Sequence, residues 1–291
     1  MKFFNYSISE DTRGRDTGVF LKENTMKPTL LNRRTLIAAA VGLPLLTAHA
    51  QISELGDAIN KAGRQRMLSQ RMGKAWLALV HGIEKSTAQS ALDKSMALFD
   101  RQLVELKAYA SSADIRDTYT KLETSWNGYK AALVGSTPAR ENAASMLQLN
   151  AGVLALAHQG TVQYEAVQGK PLGKLVNIAG RQRMLSQRMA MYFLAARLPV
   201  DAATAGNEID KARTEFGSAM ALLHKAPETT AKIEEDLKVA DGQWLFFESA
   251  LKKVALTESS TPKALIDVFQ ASENLLLVMD RVTGLYASLK T

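Results

Sequence analysis

Asn60-Lys61-Ala62-Gly63-Arg64-Gln65-Arg66-Met67-Leu68-Ser69-Gln70-Arg71-Met72 returns later in the chain as Asn177-Ile178-Ala179-Gly180-Arg181-Gln182-Arg183-Met184-Leu185-Ser186-Gln187-Arg188-Met189. Eleven consecutive residues, Ala62–Met72 and Ala179–Met189, are identical at an offset of 117. The match continues more faintly outward: Leu92-Asp93-Lys94 answers Ile209-Asp210-Lys211, Phe99 answers Phe216, and Trp126 answers Trp244 at an offset of 118. A unit of this length is too long for a solenoid repeat and suits an independent helical bundle.

Within each copy, apolar residues recur at three and four positions, as in Leu92, Met96, Phe99, Leu103 and Leu106, or Ile209, Phe216, Met220 and Leu223. That is the period of an amphipathic helix. Turn and breaker residues divide the chain into helices expected over 52–80, 87–109, 113–134, 139–168, 172–198, 206–225, 229–256 and 262–289. Short loops between long helices predict an all-α fold of two tandem up-down-up-down four-helix bundles. The modules are placed at 51–168 and 172–291. Gln168-Gly169-Lys170-Pro171-Leu172-Gly173 joins them and leaves open whether the fourth and fifth helices run on as one long shared helix.

On a helical wheel of about 100° per residue, Ala62, Arg66, Ser69 and Gly73 share one stripe, while Leu68, Met72, Ala75 and Leu79 form an apolar stripe about 100° away. The second copy repeats this with Ala179, Arg183, Ser186 and Ala190. Small residues let another backbone approach, and an arginine among them needs anionic or carbonyl partners to offset its desolvation. Neither motif helix carries an Asp or Glu from Asn60 to Leu79 or from Asn177 to Leu198. An external anion is the simplest missing partner. Two facing arginines would hold a small planar oxyanion through paired N–H groups. Ser69 and Ser186 are candidate hydroxyl donors, and Gly63 and Gly180 leave room. Gln70, Gln187, Asn60 and Asn177 are candidate supporting groups. Structural hydrogen bonding is the competing reading for all of them. Arg64 and Arg71 lie on another side, as solvated groups or partners of acids on neighbouring helices.

The motif resembles the signature of the PilJ-type N-terminal domain of type IV pili methyl-accepting chemotaxis transducers, related to the NarX-like periplasmic nitrate/nitrite sensor domain. Both copies carry it, and the modules cover nearly all of residues 51–291. The resemblance implies a four-helix bundle with the motif on its first helix, and an arginine before Met that grips nitrate at a homodimer axis. That role falls on Arg66 and Arg183. Two copies in one chain, without a HAMP-like linker, kinase or methyl-accepting region, depart from the family pattern. One chain could supply both arginines by folding one bundle against the other, or the copies could meet only across a homodimer.

Arg33-Arg34, the apolar run from Ala38 to Leu46, and Ala48-His49-Ala50 resemble a twin-arginine-type export signal over 1–50, cut after Ala50, with Met26 as a natural true start. The run is too short to span a bilayer, which takes about 20 residues. The mature chain is therefore expected in the periplasm without a transmembrane segment. The 291 residues hold 36 Lys+Arg against 29 Asp+Glu and no Cys. No long basic run suggests nucleic acid, and the missing thiols exclude disulfides, iron–sulfur clusters and Cys nucleophiles. His81, His158 and His224 lack metal-ligand spacing, so no metal, cofactor or enzyme activity is expected. The expected function is a sensor or accessory module for a small oxyanion, nitrate or nitrite first. The alternative is a helical scaffold contacting a chemoreceptor, pilus or envelope partner without a ligand. Trp244-Leu245-Phe246-Phe247 is the best candidate docking patch.

Overall fold

The computed structural model describes residues 52, 54–135, 137–252 and 261–290. The signal segment 1–50, with its Met26 start and Ala50 cleavage point, lies outside the described residues. Those residues form eight helices: α1 Leu55–His81, α2 Lys85–Tyr109, α3 Ala113–Val134, α4 Ala143–Gln168, α5 Pro171–Ala195, α6 Ala202–Lys225, α7 Ala231–Lys252 and α8 Pro262–Ser288. A 3-10 turn, Arg140–Asn142, runs directly into α4. No strand occurs among the described residues.

Local chemistry sets the ends. Gly82 at φ 71 closes α1, and its N–H reaches the Ala78 and Leu79 carbonyls. Ser112 accepts from the Ile115 N–H at 3.2 Å to start α3. Asp201 accepts from Ala203 N–H at 3.0 Å, so α6 begins earlier than the expected 206. At the join between copies, Gly169 at φ 62 ends α4 and Pro171 opens α5. Only a residue tolerant of the left-handed region permits that reversal, so α4 and α5 are separate antiparallel helices instead of one shared rod.

Each helix is antiparallel to the next, giving two four-helix bundles, α1–α4 and α5–α8. The repeat shows in matched packing. Phe99 lies 4.3 Å from Trp126, and Phe216 stacks on Trp244 at the same 4.3 Å. Tyr164 donates its hydroxyl to the Leu106 carbonyl, as Tyr286 does to that of Leu223. Burying such a ring contributes roughly 2–3 kcal/mol. The bundles are not beads on a string: α1 packs more extensively on α5 than on any helix of its own module, and one hydrophobic core runs through both.

Ionic ties also cross between the modules. Lys74 on α1 is fully buried and donates to Ser272 Oγ at 2.8 Å and to Glu273 Oε1 at 2.6 Å on α8. Arg71 grips the same carboxylate through Nε and Nη2. Burial alone would push Glu273 up, but Lys74 and Arg71 outweigh it and hold its pKa near 2. Burial likewise lowers Lys74 to about 8 despite Glu273.

Because folded Glu273 titrates below its unfolded value, its stabilisation is full above pH ~4.5 and is lost as pH falls towards ~2. A shift of this size is worth roughly 3 kcal/mol. Urea unfolding across that window is expected to show a steep acid loss in wild type and a shallower one in E273Q. Equal slopes would show that the tie contributes little.

Candidate functional site

The repeated motif occupies the centre of the molecule because α1 and α5 run parallel, side by side, around a pseudo-twofold axis. Small residues make this approach possible. A Cβ on Gly73 would stand 2.6 Å from Met191 Sδ and 3.3 Å from Tyr129 Oη. A Cβ on Gly63 would lie 3.2 Å from Arg66 Nη2 and 3.6 Å from Arg183 Nη2, and one on Gly180 would lie 3.2 and 3.9 Å from the same two atoms in reverse order. The structure therefore brings Arg66 and Arg183 together over their two glycines, both with no exposed surface.

Their partners come from the opposite copy. Arg66 Nη2 donates to Asn177 Oδ1 at 2.7 Å and to the Asn177 carbonyl at 3.3 Å, while Arg183 Nη2 donates to the Asn60 carbonyl at 3.1 Å. Asn177 is fixed in turn by donating to Glu165. The remaining contacts break the symmetry. Arg183 pairs with Asp280 on α8, which also takes Arg64 at 2.9 Å. Arg66 Nη1 instead donates to His158 Nδ1 at 3.2 Å on α4. Among the described residues Arg66 has no carboxylate partner, and its buried Nε has no partner at all.

Desolvation, then the nearby Arg181 and Arg183 charges, depress Arg66 to about 9. Desolvation takes Arg183 only to about 10, because Asp280 opposes the shift. Burial and Arg66 both lower His158, favouring the neutral ring that accepts this bond.

The other candidate residues serve the helices more than the arginines. Ser69 and Ser186 spend their hydroxyl protons on the Arg66 and Arg183 carbonyls, at 2.8 and 2.9 Å. Gln70 donates to Asn150 Oδ1 at 2.7 Å and accepts from Arg188 at 3.3 Å, while Gln187 donates to the Ser272 carbonyl at 2.9 Å. Asn60 contributes its backbone carbonyl to Arg183, and its side-chain oxygen has no partner among the described residues.

The acid-free motif does not need an external anion for Arg183. Asp280, His158 and Glu165 were invisible in the motif because they sit on other helices. The signal that finds Asp280 and His158 is an offset of 122 between α4 and α8, which pairs Thr161 with Thr283, Tyr164 with Tyr286 and His158 with Asp280. Thr161 and Thr283 methyls flank Gly63 and Gly180 in the same way.

Among the described residues no group of three or more His, Asp or Glu could hold a metal ion, and no helix is long and apolar enough to cross a membrane. A family model described as PilJ, type IV pili methyl-accepting chemotaxis transducer N-term, matches residues 48–151 and again 167–269. No curated protein and no solved structure gives a significant match.

Methionine in place of each arginine separates their roles. Arg183→Met leaves Asp280 with Arg64 alone and is expected to lower stability by about 3 kcal/mol. Arg66→Met removes an unneutralised buried cation and fills its space, so a change within about 1 kcal/mol is expected, of either sign. Chemical unfolding measures both, and an equal loss in the two variants would show that the Arg66 hydrogen bonds outweigh its desolvation.

Proposed function

From a chain that belongs to the PilJ family of type IV pili methyl-accepting chemotaxis transducer N-terminal domains, we propose a non-enzymatic helical scaffold. It acts outside the cytoplasm, after removal of the segment ending at Ala50, and contacts a chemoreceptor, pilus or envelope partner. One observation carries this reading: both motif arginines are fully buried, and each already donates to protein acceptors, Arg66 to Asn177 and Arg183 to the Asn60 carbonyl and Asp280. Arg183, already met by a carboxylate and a carbonyl, gains little from a weakly basic anion that must also be dehydrated.

The outer surface supplies a contact patch. Leu245 and Phe246 on α7 are 65% and 70% exposed, while the following Phe247 is buried. The positions 118 residues earlier are Asn127 and Gly128, so the apolar pair belongs to one copy alone. Paired exposed apolar side chains of this kind mark contact surfaces.

A second reading has an observation of its own. Arg66, with an unpartnered Nε and no carboxylate, is the half of the pair on which a nitrate or nitrite ion would be held. The homodimer arrangement is not needed for it, because one chain supplies both arginines.

Calorimetric titration with nitrate and nitrite is expected to give no saturable heat at millimolar concentration. Saturable binding that R66A weakens at least tenfold and R64A leaves intact would move the proposal to the second reading. In the envelope, a photo-crosslinker at position 246 is expected to trap a partner protein that one at position 127 does not. Equal trapping at both positions would remove the patch from the scaffold reading.

A further inference from the structure

The duplication provides an internal control for every groove, because each has a pseudo-twofold equivalent made from related residues. On α8, Glu273, Leu277 and Asp280 project from three successive turns, and the two carboxylates are taken up by Arg71, Lys74, Arg64 and Arg183. At the offset of 122, the matching α4 positions are Ala151, Ala155 and His158. Ala151, Ala155 and His158 line a cleft of about 340 Å³ between α4, α5 and α6. We infer that this cleft binds a small organic monoanion, a carboxylate carried on an apolar ring or short chain.

Charge sets the sign of the ligand. Arg181 and Arg188, the counterparts of Arg64 and Arg71, both line the cleft. Their carboxylates come from α6: Glu215 receives Arg181 Nη2 at 3.0 Å, and Glu208 receives Arg188 Nη2 at 2.5 Å. Lys211 adds a further positive charge at the rim, 3.5 Å from Glu208, so three cationic groups face two carboxylates. Behind the lining His158 stands Arg66, fully buried and without a carboxylate. A monoanion balances this excess, whereas a cation would add to it.

The apolar part of the lining gives the ligand its body. Leu154, Met184, Leu185 and Ala212 line the same cleft. A bare inorganic oxyanion gains nothing from such surface, while a ring or short chain gains by burying it. The volume lies at the small end of the range for small-molecule sites, roughly 300–1,000 Å³. This site is separate from the Arg66–Arg183 contact and does not depend on nitrate binding there.

The probes are benzoate and hexanoate, with benzylammonium as the charge-reversed control, titrated into the full chain by calorimetry. Saturable binding of at least one carboxylate below about 10 mM is expected, with benzylammonium at least tenfold weaker. Ala155→Leu puts a larger side chain into the cleft lining, and Ala151→Glu puts a carboxylate there. Both alanines are exposed, so folding should persist. Each variant is expected to weaken carboxylate binding at least tenfold with a Tm close to that of wild type. Absence of binding by both carboxylates, equal binding of benzylammonium, or wild-type affinity in Ala155→Leu would each overturn the assignment.

Discussion

A guanidinium taken wholly out of water must be met by fixed acceptors, and two placed side by side must also be kept from repelling each other. Burying one ion costs several kcal/mol even after relaxation. The central geometry answers that demand. Parallel packing of α1 on α5 lets each arginine reach the asparagine that opens the other motif, Arg66 to Asn177 and Arg183 to Asn60. The glycines at 63 and 180 leave space for the two planar groups, and Gly73 lets Met191 close the contact further along. A slide of one helix along the other would strand both cations, so the same groups that are costly to bury also fix the register.

The partners beyond this reciprocal pair are unequal. Asp280 is shared by Arg183 and Arg64, while its counterpart His158 offers Arg66 one neutral acceptor. The inequality spreads along α4 and α8. Where α8 carries Glu273 to tie Arg71 and Lys74, α4 carries Ala151, and Arg188 turns to Glu208 on α6. One side of the molecule is sealed by ion pairs between modules, and the other keeps its ion pairs within the second module and leaves a cleft.

The helices, their order and the placing of Arg66 and Arg183 on one stripe were legible because helical period and an exact repeat are local signals. The end of α5 and the start of α6 were less so, since Asp201 capping decides them more than the apolar pattern does. The partners of the arginines were not legible from the motif. A motif without carboxylates suggested an external anion, yet the carboxylate was supplied across the bundle by α8. That helix escaped alignment because the offset grows from 118 at Trp244 to 122 at Thr283, and only weak identities, Thr161 with Thr283 and Tyr164 with Tyr286, mark the change.

Carrying both copies in one chain is what allows the two halves to differ. In a homodimer every substitution appears twice about the axis. An aspartate at the position of Asp280 would then face both arginines, and a histidine at the position of His158 would leave both without a carboxylate. Neither symmetric choice reproduces the present balance, in which one buried guanidinium is neutralised and its neighbour is not. Linking the copies also makes their contact intramolecular, so it persists at any dilution and can tolerate an interface with one weak side. The unneutralised Arg66, the trimmed alanines of α4 and the cleft beside them all lie on that side. Divergence after duplication has put the ion pairs between modules on one face of the pseudo-twofold axis, and the cleft with the arginine that lacks a carboxylate on the other.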